Sequence, residues 1–207
     1  MTKARKAIVE QYDRIVDVYE AIPMDGSISV LTGRNGSGKS LIRQQLTFRA
    51  RKKDSQARIY DASMERRTAA HGGGLGAFMR DTSWNPTSVN TLDFIRQTMN
   101  REHGFVVLDE IEVGCGEETV RGLVSWLNAN LRDGIKNTMG ALVITHSRYV
   151  VENLTFDHWF NLDGFETPQG WCQRARKTAD LEQLRRDSID LFRYVTSMIK
   201  EAKAKRK

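Results

Sequence analysis

The chain has 207 residues, 40% apolar and 28% charged, which is enough for one α/β domain with a real core and short for two. Its 32 Lys and Arg outnumber 26 Asp and Glu, and the resulting +6 favours anionic partners without selecting nucleic acid among them. Two distant cysteines, Cys115 and Cys172, lack any C-x-x-C or His spacing, so neither a disulfide framework nor a zinc site is indicated and a reducing cytoplasm is expected.

The amino-terminal stretch interleaves charges with apolar residues, and no segment approaches the ~20 consecutive apolar residues of a membrane span. A soluble, cytoplasmic chain with no membrane partner is expected. Ala7 to Ala21 fits either a strand or a helix. Gly26 then opens SISVLT, a β-branched run that meets Gly33 as a buried strand feeding a glycine turn, and Leu41 to Lys53 continues as a helix. A second strand is expected at Ala57 to Ala62, followed by an irregular excursion with glycines at 72, 73, 74 and 76. Thr87 or Ser88 can cap a helix carrying Leu92, Ile95 and Met99 at helical spacing. Phe105 to Leu108 and Ala141 to Thr145 read as buried strands on either side of a helix over Val120 to Leu131. Strands alternating with helices predict an α/β fold with a mostly parallel central sheet flanked by helices.

Past Val150, HWFNLDGF and GWCQRA flank a Pro-Gln-Gly turn and predict a hairpin, with the hairpin and a closing helix together spanning residues 155–203. The helix stripe of Leu181, Leu184, Leu191, Val195 and Met198 is expected to pack on the sheet. The basic tail, residues 203–207, is read as a solvated terminus, and residues 1–207 as a single domain whose core is 27–150.

GRNGSGKS, residues 33 to 40, matches G-x-x-x-x-G-K-[ST] between a predicted strand and a predicted helix. Glycines let successive N–H groups turn inward around phosphates, and the new helix adds its positive end. Gly33, Asn35, Gly36, Ser37, Gly38, Lys39, Ser40 and Leu41 are therefore the candidate ATP-binding residues. Lys39 is expected on the β- and γ-phosphates and the Ser40 hydroxyl on Mg²⁺.

FVVLDE ends an apolar strand with Asp109 and Glu110, at the edge where a parallel sheet presents its ligands. Asp109 suits Mg²⁺ held through water, and Glu110 can polarise a water that attacks the γ-phosphate. His146, at the end of ALVITH, can hydrogen-bond the γ-phosphate and sense it.

Asp109 follows Lys39 by 70 residues and His146 follows Glu110 by 36. In that order GRNGSGKS, FVVLDE and VITHS resemble the ATPase core of the ABC superfamily over roughly Ser27 to Val150, nearer its soluble Rad50, SMC and RecF-like branch than its transporter subunits. The resemblance implies two heads paired head to tail around two ATP molecules, with Glu110 as catalytic base, His146 as switch histidine and Glu112 to Glu117 as a D-loop crossing the dimer interface.

The departures are specific. The LSGGQ-like signature position reads PTSVNTLDF, leaving Ser88 at a helix start as the candidate phosphate contact beside the plain N-cap reading. The expected Q-loop glutamine is missing from DASMERRT, where only Ser63 or Glu65 could substitute. With about 25 residues before the signature position there is room for neither a coiled coil nor a transporter's helical subdomain, so the chain resembles small stand-alone ABC ATPases.

The expected function is an ATP-hydrolysing switch that forms an ATP-dependent homodimer and acts on nucleic acid or a nucleic-acid enzyme. The charge balance, Arg66, Arg67, Arg80 and the basic closing helix add to that expectation. The alternatives are a slow or non-catalytic nucleotide-gated regulatory subunit and, further off, a small-molecule kinase. Tyr12 and Tyr19 are read as packed residues, with adenine stacking as the other possibility.

Overall fold

A computed structural model describes residues 3–53, 58–61, 92, 95–96, 99, 104–174 and 181–204. Its strands are β1 (Ile28–Thr32), β2 (Arg58–Asp61), β3 (Gly104–Asp109), β4 (Ala141–Thr145) and β5 (His158–Asn161). Its helices are α1 (Lys3–Ala21), α2 (Lys39–Lys53), α3 (Glu117–Ile135), α4 (Arg148–Asn153), α5 (Pro168–Gln173) and α6 (Leu181–Ala204). The strands form one sheet in the order β2-β3-β4-β1-β5, and every pairing is parallel.

The β1 and β4 residues are buried throughout because helices cover both faces of the sheet. Side-chain alternation divides the core in two. Ile28, Val30, Val106, Leu108, Ala141 and Val143 pack with α3 through Leu123, Leu127 and Leu131. Leu31, Phe105, Val107, Leu142 and Ile144 share the other layer with Ile15 and Val18 of α1, Ile22 just after it, and Ile42 and Leu46 of α2. Leu92, Ile95 and Met99 pack on the α3 layer, as their spacing predicts. Among the described residues no helix is long and apolar enough to cross a membrane.

One open assignment is settled and other expectations change. The ambiguous first segment is helix, and its buried positions 15 and 18 keep helical spacing, which Ile22 continues just past its end. The hairpin is not formed. HWFN is β5, which joins the sheet parallel to β1, while the second half of the supposed hairpin lies in α5. The Pro-Gln-Gly segment opens that helix: the Thr167 hydroxyl accepts from Gly170 N–H at 3.1 Å, and Pro168 follows at the first helical position, where its missing N–H costs no bond.

The closing helix also sits differently. Leu191 and Val195 are buried, but α6 lies along α1 rather than directly on the sheet, and Met198 is exposed. Tyr194 meets Tyr12 edge-on at 5.5 Å across that contact. Leu181, Leu184, Ser63, Glu65, Arg66, Arg67, Arg80, the 72–76 glycines, the Thr87/Ser88 cap and the end of the tail lie outside the side chains or residues described.

Candidate functional site

The register sets the site. Thr32 pairs with Thr145 and Asp109 with Ile144, so β1, β4 and β3 end at one level along the carboxyl edge. Because β4 lies between the other two, His146 emerges between the glycine loop after β1 and Glu110 after β3. A cavity of about 450 Å³ opens there, within the range of small-ligand sites. Asn35, Gly36, Gly38, Lys39, Ser40, Leu41, Asp109 and Glu110 line it, which brings six of the eight expected loop residues together with the acidic pair.

Gly33 and Ser37 support the loop from beneath. A Cβ at Gly33 would lie 2.5 Å from Ser37 Oγ and 3.1 Å from Leu162 Cβ, and Ser37 itself is buried. Gly36 and Gly38 take positive φ, 75° and 104°, and a Cβ on Gly38 would come within 2.3 Å of Ile15 Cδ1. The loop thus needs glycine both for its turn and for its seat on α1.

Residues outside the motif hold the loop in place. Gln11 Nε2 donates to the Ser37 carbonyl at 2.7 Å, and the Asp163 carboxylate accepts from Arg34 N–H at 2.9 Å. Asn161 donates to the Thr32 hydroxyl at 2.9 Å and accepts from the N–H groups of Asp163 and Phe165, fixing the turn after β5 beside the loop. None of these was a candidate from sequence, although N-L-D-G after a strand is a turn signal.

Lys39 is 7% exposed, and its ammonium donates to the Gly33 and Arg34 carbonyls at 3.0 and 3.1 Å. Burial pulls its pKa below the ordinary lysine value, against the raising influence of Glu110 and Asp109. A buried ammonium whose hydrogen bonds go to neutral carbonyls, on a glycine loop opening a 15-residue helix, fits an anionic group better than its present acceptors do. The donors near it are oxygens. Ser40 and Asp109 line the same cavity, a set suited to a hard divalent cation such as Mg²⁺.

Both carboxylates of the acidic pair are already engaged. Arg43, one turn after Lys39 on α2, places Nη1 2.9 Å from Asp109 Oδ2, with both side chains only 14% exposed. Glu110 adopts φ 50°, left-handed and costly for a residue with a Cβ. Its N–H is anchored to the Ile144 carbonyl at 2.8 Å, and Oε1 lies 2.9 Å from His146 Nε2. That approach is at ion-pair distance but outside hydrogen-bond alignment, since Nε2 is left without a well-directed partner. The His146 contact holds the Glu110 carboxyl below its ordinary value despite desolvation. The ionised form of Glu110 therefore stabilises the fold above the unfolded carboxylate pKa, about 4.3, and that contribution is lost as pH falls through the lower folded value.

Glu112 has a place within the chain itself: its Oε1 accepts from the Thr145 hydroxyl and from His146 N–H at 3.0 Å, so it positions the histidine from behind. Glu112→Ala should lower folding stability by about 3 kcal/mol, two hydrogen bonds to a charged acceptor, with partial recovery in Glu112→Gln. Urea denaturation checks this, and an unchanged midpoint would show that the carboxylate contributes nothing to holding β4. Val113 to Glu117, the rest of the expected D-loop, runs along the surface. Ser88 lies outside the described residues.

No family model matches the chain, and no curated protein matches it. Among solved structures, that of C. elegans PCH-2 aligns with a TM-score of 0.37 and 17% identity, over 76% of this chain and 42% of that one. The chain thus spans less than half the length of that protein.

Proposed function

We propose that this chain is a Mg²⁺-dependent ATPase of the ABC type, working as an ATP-driven switch that pairs head to tail with a second copy. One observation carries the reading: a buried lysine in a glycine loop, an Asp-Glu pair and a histidine converge on one carboxyl edge, with the histidine between the loop and Glu110. In this reading Lys39 and the loop N–H groups hold the β- and γ-phosphates, while Ser40 and Asp109 hold the metal. A Mg²⁺ ion held by Ser40 and Asp109 would supply charge neutralisation for the phosphates. Glu110 orients the attacking water, and His146 exchanges its contact with Glu110 for the γ-phosphate.

The partner proposed is nucleic acid or a nucleic-acid enzyme. Supporting it, α2 contains no acidic residue and ends in Arg51, Lys52 and Lys53, with Phe48 exposed one residue before Arg49. Phosphate release from ATP with Mg²⁺, measured with and without short DNA, tests the whole reading. Hydrolysis stimulated by DNA is the expected result, and no ATP binding at all would refute it.

A second reading has its own support. Asp109 is held by Arg43 and Glu110 by His146, so both carboxylates must be rearranged before hydrolysis. That suits a slow ATPase whose bound nucleotide gates another protein. A turnover rate unaffected by DNA, with tight ATP binding, favours it.

A further inference from the structure

The cavity has a second wall that the phosphate chemistry does not use. Besides Lys39 and the acidic pair, it is lined by Ser188, Leu191 and Phe192, all from α6. This placement follows from packing: Leu191 is buried with Ile15 of α1, and a Cβ on Gly38 would lie 3.8 Å from Leu191 Cδ2, so α6 runs beside the loop. Phe192, one residue further round the helix, falls outside that seam and outside both core clusters, and is 64% exposed while lining the cavity. Burying such a ring is ordinarily worth about 1.5–3 kcal/mol, so a ligand that covered it would gain from the contact.

A nucleotide has one polyanionic end and one flat aromatic end, and this cavity has a cationic, oxygen-rich end and an exposed aromatic ring. The two tyrosines that sequence offered for the base are occupied elsewhere. Tyr12 is locked edge-on against Tyr194, and Tyr19 lies under the Arg49 guanidinium at 5.7 Å. We propose that Phe192 of the closing helix is the platform on which the nucleobase stacks. Resting on the nucleotide reading above, this assigns α6 a direct part in ligand binding rather than a purely packing role. Stacking on a phenyl face involves no base-edge hydrogen bond, so ATP and GTP should bind within a few-fold of each other.

The test is calorimetric titration of Mg-ATP and of Mg-tripolyphosphate, which lacks the base, into the parent chain, Phe192→Ala, Phe192→Trp and Lys39→Met. Phe192→Ala should weaken Mg-ATP about tenfold and leave tripolyphosphate within twofold. Phe192→Trp should restore ATP affinity, and its added fluorescence should be quenched by ATP but not by tripolyphosphate. Equal ATP affinity in the parent and Phe192→Ala, with Lys39→Met still defective, would overturn the platform while leaving the phosphate site intact. Equal losses for both ligands in Phe192→Ala would overturn it too, marking a structural effect. A parent chain that binds neither ligand refutes both proposals together.

Discussion

Lys39→Met should weaken Mg-ATP binding at least about a hundredfold while leaving the free protein as stable as the parent, or slightly more so. Two opposing consequences of burial lead to this. The ammonium has been taken out of water and given two carbonyl acceptors, so folding works against its charge and its pKa falls. Methionine of similar length removes that cost and keeps the volume. With phosphates present the balance reverses, because the same ammonium would make charge-assisted bonds worth about 1.5–3 kcal/mol each. Two such bonds lost give the hundredfold estimate, since each factor of ten is about 1.4 kcal/mol. Calorimetry and thermal unfolding on the same samples separate the terms. Undiminished affinity would mean that the buried lysine is a structural strut of the loop.

The loop was legible because each of its positions answers to a backbone requirement within eight residues. β1, β3 and β4 were legible because strands covered on both faces must be apolar throughout. The residues that hold the site are of another kind. Gln11 reaches Ser37, Asn161 reaches Thr32 and Glu112 reaches Thr145 and His146, contacts separated by 26 to 129 residues. Local periodicity carries no trace of such pairs. The hairpin error was of a third kind, because the signal was present. A threonine before Pro168 is a helix cap as readily as a turn, and the four-residue strand before it had nothing in sequence to tell an antiparallel partner from a place beside β1.

Similarly, Arg43 was visible as a basic residue four positions after Lys39, yet its partner lies 66 residues away. Its pairing shows why motif order alone leaves the rate open. An Asp ready for metal and an Asp held by a guanidinium read identically in sequence, but the second must first exchange a cation it already has.

Glu110→Gln should lower the hydrolysis rate by about 10²–10⁴ while preserving ATP affinity within a few-fold, and light scattering should then show an ATP- and Mg²⁺-dependent rise from monomer to dimer mass. The amide keeps the shape of the side chain and an oxygen towards His146, so binding survives. What it loses is the carboxylate proposed to orient water. The contact with His146 makes this variant unusually informative. Glu110 is held below its ordinary pKa by that imidazole, which leaves it a weaker base than a free carboxylate. For Glu110 to act, the histidine must move away, and the γ-phosphate is the acceptor proposed to draw it. On that account His146→Ala should also slow hydrolysis, because nothing then reports the phosphate, even though the Glu110 carboxyl returns towards its ordinary value. A His146→Ala rate above that of the parent would instead make the histidine a brake on the carboxylate. Parent-level turnover in Glu110→Gln would remove the base from the mechanism, whereas bound ATP without a mass change would leave the base in place and sink the head-to-tail dimer.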